Sequence, residues 1–84
     1  MGWLVVIVRR NEAVYAIASA EEALGLLFSD WPVNSGLPFI LAMEACAGAA
    51  RGAIAEEEAQ FAFLAAAMDA QVPFDFPSNP EFRD

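Results

Sequence analysis

Eighty-four residues make one domain, and a chain this short buries only about 60–65% of the surface that its unfolded form exposes. Twelve acids against four arginines leave a net charge of −8. That excludes a phosphate-neutralising face for nucleic acid and disfavours anionic membrane surfaces. Hydrophobic residues make up 58%, an excess for so small a domain, which predicts a surface covered by another chain.

Trp3 to Val8 (WLVVIV) is rich in β-branched residues and predicts a strand. It is apolar on both faces, with Trp3, Val5 and Ile7 on one and Leu4, Val6 and Val8 on the other. The run is too short for a secretory leader, and its arginines follow it instead of preceding it. Position 6 is Val6, which breaks the myristoylation pattern after Gly2. Arg9 to Glu12 is a polar break, and Ala13 to Ala18 predicts a second strand in an antiparallel hairpin with a four-residue connection. A two-stranded hairpin needs helices on one face and a cover for the other, which a second subunit can supply.

Ser19 and Glu22 form a capping box, with the Glu22 side chain reaching back to Ser19. The first helix runs to about Asp30 on the buried stripe Ala20, Ala23, Leu24, Leu27, Phe28 and Trp31. Gly25 inside it predicts close approach of a neighbouring backbone. The Trp31–Pro32 corner reads as a helix stop with a core aromatic, its alternative being an aromatic anchor in a binding groove. Pro38 opens the second helix, which Gly52 stops. Phe39, Ala42, Met43, Cys46 and Ala50 occupy one of its faces, and Glu44, Gly48 and Arg51 the other. Leu37 to Ala50 is apolar but too short to span a bilayer.

Glu56, Glu57 and Glu58 open the third helix, where negative charge complements the helix dipole. From Ala59 to Ala70 that helix has two apolar faces. Ala59, Ala62, Phe63, Ala66, Ala67 and Ala70 form a small-residue face, and Phe61, Leu64, Ala65 and Met68 a bulkier one. The pattern predicts a central helix sandwiched between two layers, with the Phe61–Leu64–Met68 face set against the sheet or a partner. Gln60 and Asp69 are polar flanks. After Val72, prolines alternate with Phe74, Phe76 and Phe82, which excludes helix and central strand and predicts an extended tail over 73–84.

Little here carries chemistry. There is no histidine, so no serine triad can form. Cys46 lies on an apolar helix face and reads as a buried, inert thiol; as the single cysteine, it excludes an internal disulfide and fits a reducing, cytoplasmic setting. Three consecutive glutamates point about 100° apart on a helix and cannot converge on one ion. Tyr15 reads as a packing residue, and Glu44 with Arg51 as solvated surface.

A strand carrying a tryptophan, a helix ending in Trp31-Pro32, Gly36 before a helix with Ala42 and Cys46, and a helix with Phe61 and Phe63 before Asp69-Ala70 occur here in one order. In that order and spacing the chain resembles domain-of-unknown-function family 982, a set of small bacterial proteins, over roughly Trp3 to Val72. The resemblance implies a shared fold and carries no activity and no catalytic residues. An arginine that it implies near Gln60 is missing from this chain.

The expected architecture is α+β in the order β-β-α-α-α, a single domain over 1–72 followed by the tail. The expected role is a non-catalytic protein-interaction or regulatory module, homodimeric, without cofactor or metal. Its interface is expected at Phe61, Leu64 and Met68, or at Val5 and Ile7 on the outer face of the first strand. The alternative is a sensor of a small apolar ligand, held in a pocket between the hairpin and the helices.

Overall fold

The computed structural model describes residues 2–77. Strands β1 (Val6–Arg10) and β2 (Ala13–Ile17) pair antiparallel from Val6↔Ile17 to Arg10↔Ala13. The polar break is shorter than expected, because Arg9 and Arg10 stay in the ladder and only Asn11 and Glu12 turn. Asn11 adopts φ 46°, which the first position of a two-residue hairpin turn requires and which asparagine tolerates. At the other end β1 starts later than the apolar run does. Ile17 is the last residue of β2 to pair, so Trp3 and Leu4 find other partners.

Helix α1 (Ala20–Ser29) starts at Ser19, whose Oγ accepts from the Glu22 N–H at 3.1 Å. Glu22 Oε1 in turn accepts from the Ala18 N–H at 2.8 Å, one residue before the position the capping box predicts. Helices α2 (Leu37–Ala50) and α3 (Glu56–Asp69) follow, and Gly52 (φ 81°) turns the chain between them. The hairpin and three helices are thus an α+β domain in the expected order. The structure adds a third strand, β3 (Phe74–Asp75), on the free edge of β1, giving the strand order β2-β1-β3. Pro73 fits there because its carbonyl, the only backbone hydrogen-bonding group a proline has, accepts from the Arg9 N–H at 3.0 Å. The sheet therefore extends past Val72 into the expected tail. Phe82, with the rest of 78–84, lies outside the described residues.

Val6, Val8 and Ile17 on one sheet face join Ala23 and Leu27 of α1, Ala42 and Cys46 of α2, and Phe63, Ala66 and Ala67 of α3 in one core. Phe63 is the largest side chain that is fully buried. Its ring centroid lies 6.0 Å from that of Trp3 and 5.4 Å from that of Trp31. The Trp31 corner is therefore a helix stop with a core aromatic.

The small-residue face of α3 points inward. The Phe61–Met68 face points away from the sheet, which corrects the placement of that face on the sheet. The sandwiched helix is α2, which packs against α1 on one side and α3 on the other. That position also buries Gly48, expected on the polar face, and leaves Ala50 exposed. A Cβ on Gly48 would come within 2.6 Å of Ile54 Cδ1, so the return from α2 to α3 closes over this glycine.

Gly25 has the opposite character. Nothing lies within 4 Å of where its Cβ would be, so no backbone approaches it closely. It weakens an exposed helix position without a packing gain. Gly25→Ala is expected to stabilise the fold by about 0.5–1 kcal/mol, read as a higher urea midpoint at unchanged slope.

Candidate functional site

Phe61 is 78% exposed and Met68 68% exposed on the outward face of α3, with Leu64 half-buried between them. The surface around Phe61 is grooved on every side. One groove of about 380 Å³ is bounded by Leu4, Gln60, Leu64 and Phe76. A second, of about 480 Å³, runs between Phe61, Leu64, Ala65, Met68 and Phe74. A third, of about 280 Å³, lies toward α2 and is floored by Ala62 and Ala65 and walled by Leu37 and Leu41. A fourth, of about 360 Å³, continues along α2 to Glu44, Ile54 and Glu58. Phe61 borders all four, so it is a knob in the middle of one continuous apolar face. Phe74 and Phe76, ring edge to ring face at 6.4 Å, wall it on the β3 side.

The structure thus brings Phe61, Leu64 and Met68 together on one face. It sets Val5 and Ile7 apart from them. Val6 and Val8 point to the helices, so the alternating Val5 and Ile7 point to the other side of the sheet. Val5 is exposed there, and Ile7 is half-buried opposite Asp75.

Two polar arrangements hold this frame in place. Gln60 is buried, not a solvated flank. Its Oε1 accepts from the Leu4 N–H at 3.0 Å, and its Nε2 donates to the Leu4 carbonyl. One side-chain amide therefore pairs with both backbone groups of Leu4, as a neighbouring strand would. Glu56 Oε1 accepts from the Trp3 N–H at 3.2 Å in the same segment. At the far end of the sheet, Arg10 donates from Nε to the Asp30 carbonyl at 3.0 Å and from a terminal nitrogen to Asp30 Oδ1 at 3.1 Å. The Tyr15 hydroxyl donates to Asp30 Oδ2 at 3.0 Å. Tyr15 is therefore a polar tie as well as a packing residue, and Arg10 neutralises the C-terminal end of α1. Sequence reasoning missed both arrangements, because their partners lie far apart in the chain.

Cys46 is fully buried, and its thiol faces the Ala59 carbonyl at 3.9 Å. Burial pushes the thiol pKa up to about 11 from an ordinary 9.0. The Tyr15 phenol is also raised, first by its hydrogen bond to Asp30 and then by burial. Both folded-state values lie above the unfolded ones. Each group therefore contributes stability that is fully present below its ordinary pKa and lost as pH rises through the folded value. For Cys46 alone a loss of about 2–3 kcal/mol is expected once pH passes its folded value. Urea midpoints at about pH 8 and pH 11.5 check this, with Tyr15→Phe removing the part of the decline that the phenol contributes.

Glu56, Glu57 and Glu58 fan around the first turn of α3. Among the described residues no three His, Cys, Asp or Glu side chains are placed to hold a metal ion. Among them, too, no helix is long and apolar enough to cross a membrane.

Fold and surface together define a small α+β domain with a packed core and an uncovered apolar face around Phe61. The chain belongs to the family described as "Protein of unknown function (DUF982)", whose model matches residues 4–74. The match agrees with the resemblance read from Trp3 to Val72 and reaches Phe74, the first residue of β3. No curated protein and no solved structure matches the chain.

Proposed function

We propose that this protein is a non-catalytic interaction module that docks a protein on the outer face of α3 and works as a homodimer. The observation that carries the reading is the exposure of Phe61 at the centre of four confluent apolar grooves. Large aromatic side chains standing in water are the usual anchors of interfaces. The cytoplasm suits a chain whose one thiol is buried and unpaired.

Phe61→Ser tests the reading without touching the core. It should weaken association at least tenfold, as loss of an anchor worth about 2 kcal/mol or more does. Sedimentation at tens of micromolar, a rough working range, reads the association, and circular dichroism checks that the fold is unchanged. Unchanged sedimentation would remove the face from the interface.

The competing occupant is a small apolar ligand. One seat is the groove of about 380 Å³ beside Leu4 and Phe76, which exceeds the roughly 300 Å³ of the smallest ligand pockets. Binding of a fluorescent apolar probe that Phe76→Ser abolishes, with the wild type monomeric, would favour that reading.

A further inference from the structure

We infer that the partner on this face is a second copy of the chain, docked with the two α3 helices antiparallel across a two-fold axis between Leu64 and Ala65. The inference rests on the reading of the α3 face as the docking surface and adds the occupant and its orientation.

The first argument is self-complementarity. Phe61 and Met68 lie about two helical turns apart, roughly 10 Å along the axis. Phe61 is the projecting knob, and the groove of about 480 Å³ between Leu64, Ala65, Met68 and Phe74 is the hole. An isologous interface needs each patch to carry both knob and hole, displaced to opposite sides of the axis. A two-fold axis between Leu64 and Ala65 sets Phe61 of each copy into that groove of the other. Ala65, small and exposed at the axis, lets the helices approach closely.

The second argument is area. Phe61, Met68, Leu37, Leu41, Leu4 and Phe76 are each about half exposed or more. Six such side chains leave on the order of 500 Å² of apolar surface in water. A standard interface buries about 800 Å² per partner, a little over half of it apolar. The polar rim, with Glu44 and Glu58, makes up the remainder.

The third argument selects the orientation. Parallel helices would stack two Glu56–Glu58 triplets against each other. Antiparallel packing moves them to opposite ends of a 14-residue helix, about 21 Å apart, and opposes the helix dipoles. One like-charge approach remains, because Asp69 of each copy comes beside Glu58 of the other.

That residual repulsion makes the arrangement testable. Asp69→Arg should tighten the dimer several-fold, and the gain should shrink as salt rises from about 0.05 to 0.5 M. Ala65→Cys should form a covalent dimer under mild oxidation, because the axis brings the two copies of position 65 together. Ala16→Cys, exposed on the sheet, should remain uncross-linked, and native Cys46 is fully buried and cannot compete. A wild-type dimer whose Ala65→Cys variant does not cross-link, or whose Asp69→Arg variant is weakened, overturns the antiparallel seam and leaves the docking face standing. A wild-type monomer at about 0.1 mM overturns self-docking. If such a monomer also binds a basic apolar peptide in a Phe61-dependent way, the face still docks protein. If Phe61→Ser alters nothing, the docking reading fails as well.

Discussion

Phe63→Ala is expected to cost about 3–5 kcal/mol, because it empties the most enclosed aromatic site in the domain. A domain of this size holds roughly 4–13 kcal/mol in total, so the variant sits at the edge of unfolding. At about 4–8 °C per kcal/mol the melting temperature should fall by about 12–40 °C. Both tryptophans abut this ring, so both report the loss. Near-ultraviolet dichroism should collapse and fluorescence shift to the red. Phe61→Ala supplies the contrast two residues away. Its ring is mostly in water, so the stability of the isolated chain should change by no more than about 0.5 kcal/mol. A cost below about 1 kcal/mol for Phe63→Ala would show that the ring is not packed as described.

Gln60→Met is expected to cost about 1–3 kcal/mol. Methionine keeps most of the volume and removes both hydrogen bonds to Leu4. Leu4 is 60% exposed, so water can replace part of the loss and hold the cost inside that range. The signature is local: the Leu4 amide should exchange far faster, and Trp3, whose Nε1 donates to the Ile17 carbonyl at 3.0 Å, should become more mobile. Gln60→Glu separates the two bonds. It keeps an acceptor for the Leu4 N–H and loses the donor to the carbonyl. The new charge also lies one helical turn from Glu56, so this variant should lose less stability at acid pH than at neutral pH. A methionine variant as stable as the wild type, with a slow Leu4 amide, would show that the amide does not hold the strand.

The features legible in the sequence are those set by near neighbours. Ser19 and Glu22 stand three apart, and their cap forms with only a one-residue change of the donor to Glu22, from the Ser19 to the Ala18 N–H. The three helices lie where they are expected, and α1 and α2 end where Pro32 and Gly52 require, but the stripe of α1 is shifted: Phe28, expected on it, is 71% exposed, and Leu26 is buried instead. The two faces of α3 are visible in the spacing of Phe61 and Phe63. Which one faces inward is not, because both are apolar and the choice belongs to the whole assembly: Trp3 and Trp31 close on Phe63 from distant parts of the chain. Gln60 and Asp30 look like surface polar residues in sequence, and their partners at Leu4, Arg10 and Tyr15 lie far away along the chain. Gly25 and Gly48 sit in helices of similar composition, yet one faces open space and the other Ile54. Strand β3 is two residues long between prolines, below what alternation can register.

That short strand has a consequence for how the domain opens. Near the start of the chain and near its described end, residues meet on opposite edges of the same central strand. The β1–β2 ladder closes locally through a tight turn. The β1–β3 ladder closes almost the full length of the chain, has only two paired positions, and adds an exposed Arg9–Asp75 pair at 3.8 Å that contributes little. β3 is therefore the last element to join on folding and the first to leave under native conditions. Each time it leaves, the Ile7–Arg9 stretch of β1 changes from paired to open edge, freeing the backbone groups of two β-branched apolar residues and the Arg9 amide. β3 thus serves as a removable guard rail, and its residence time sets how often this protein shows a neighbour an aggregation-prone edge.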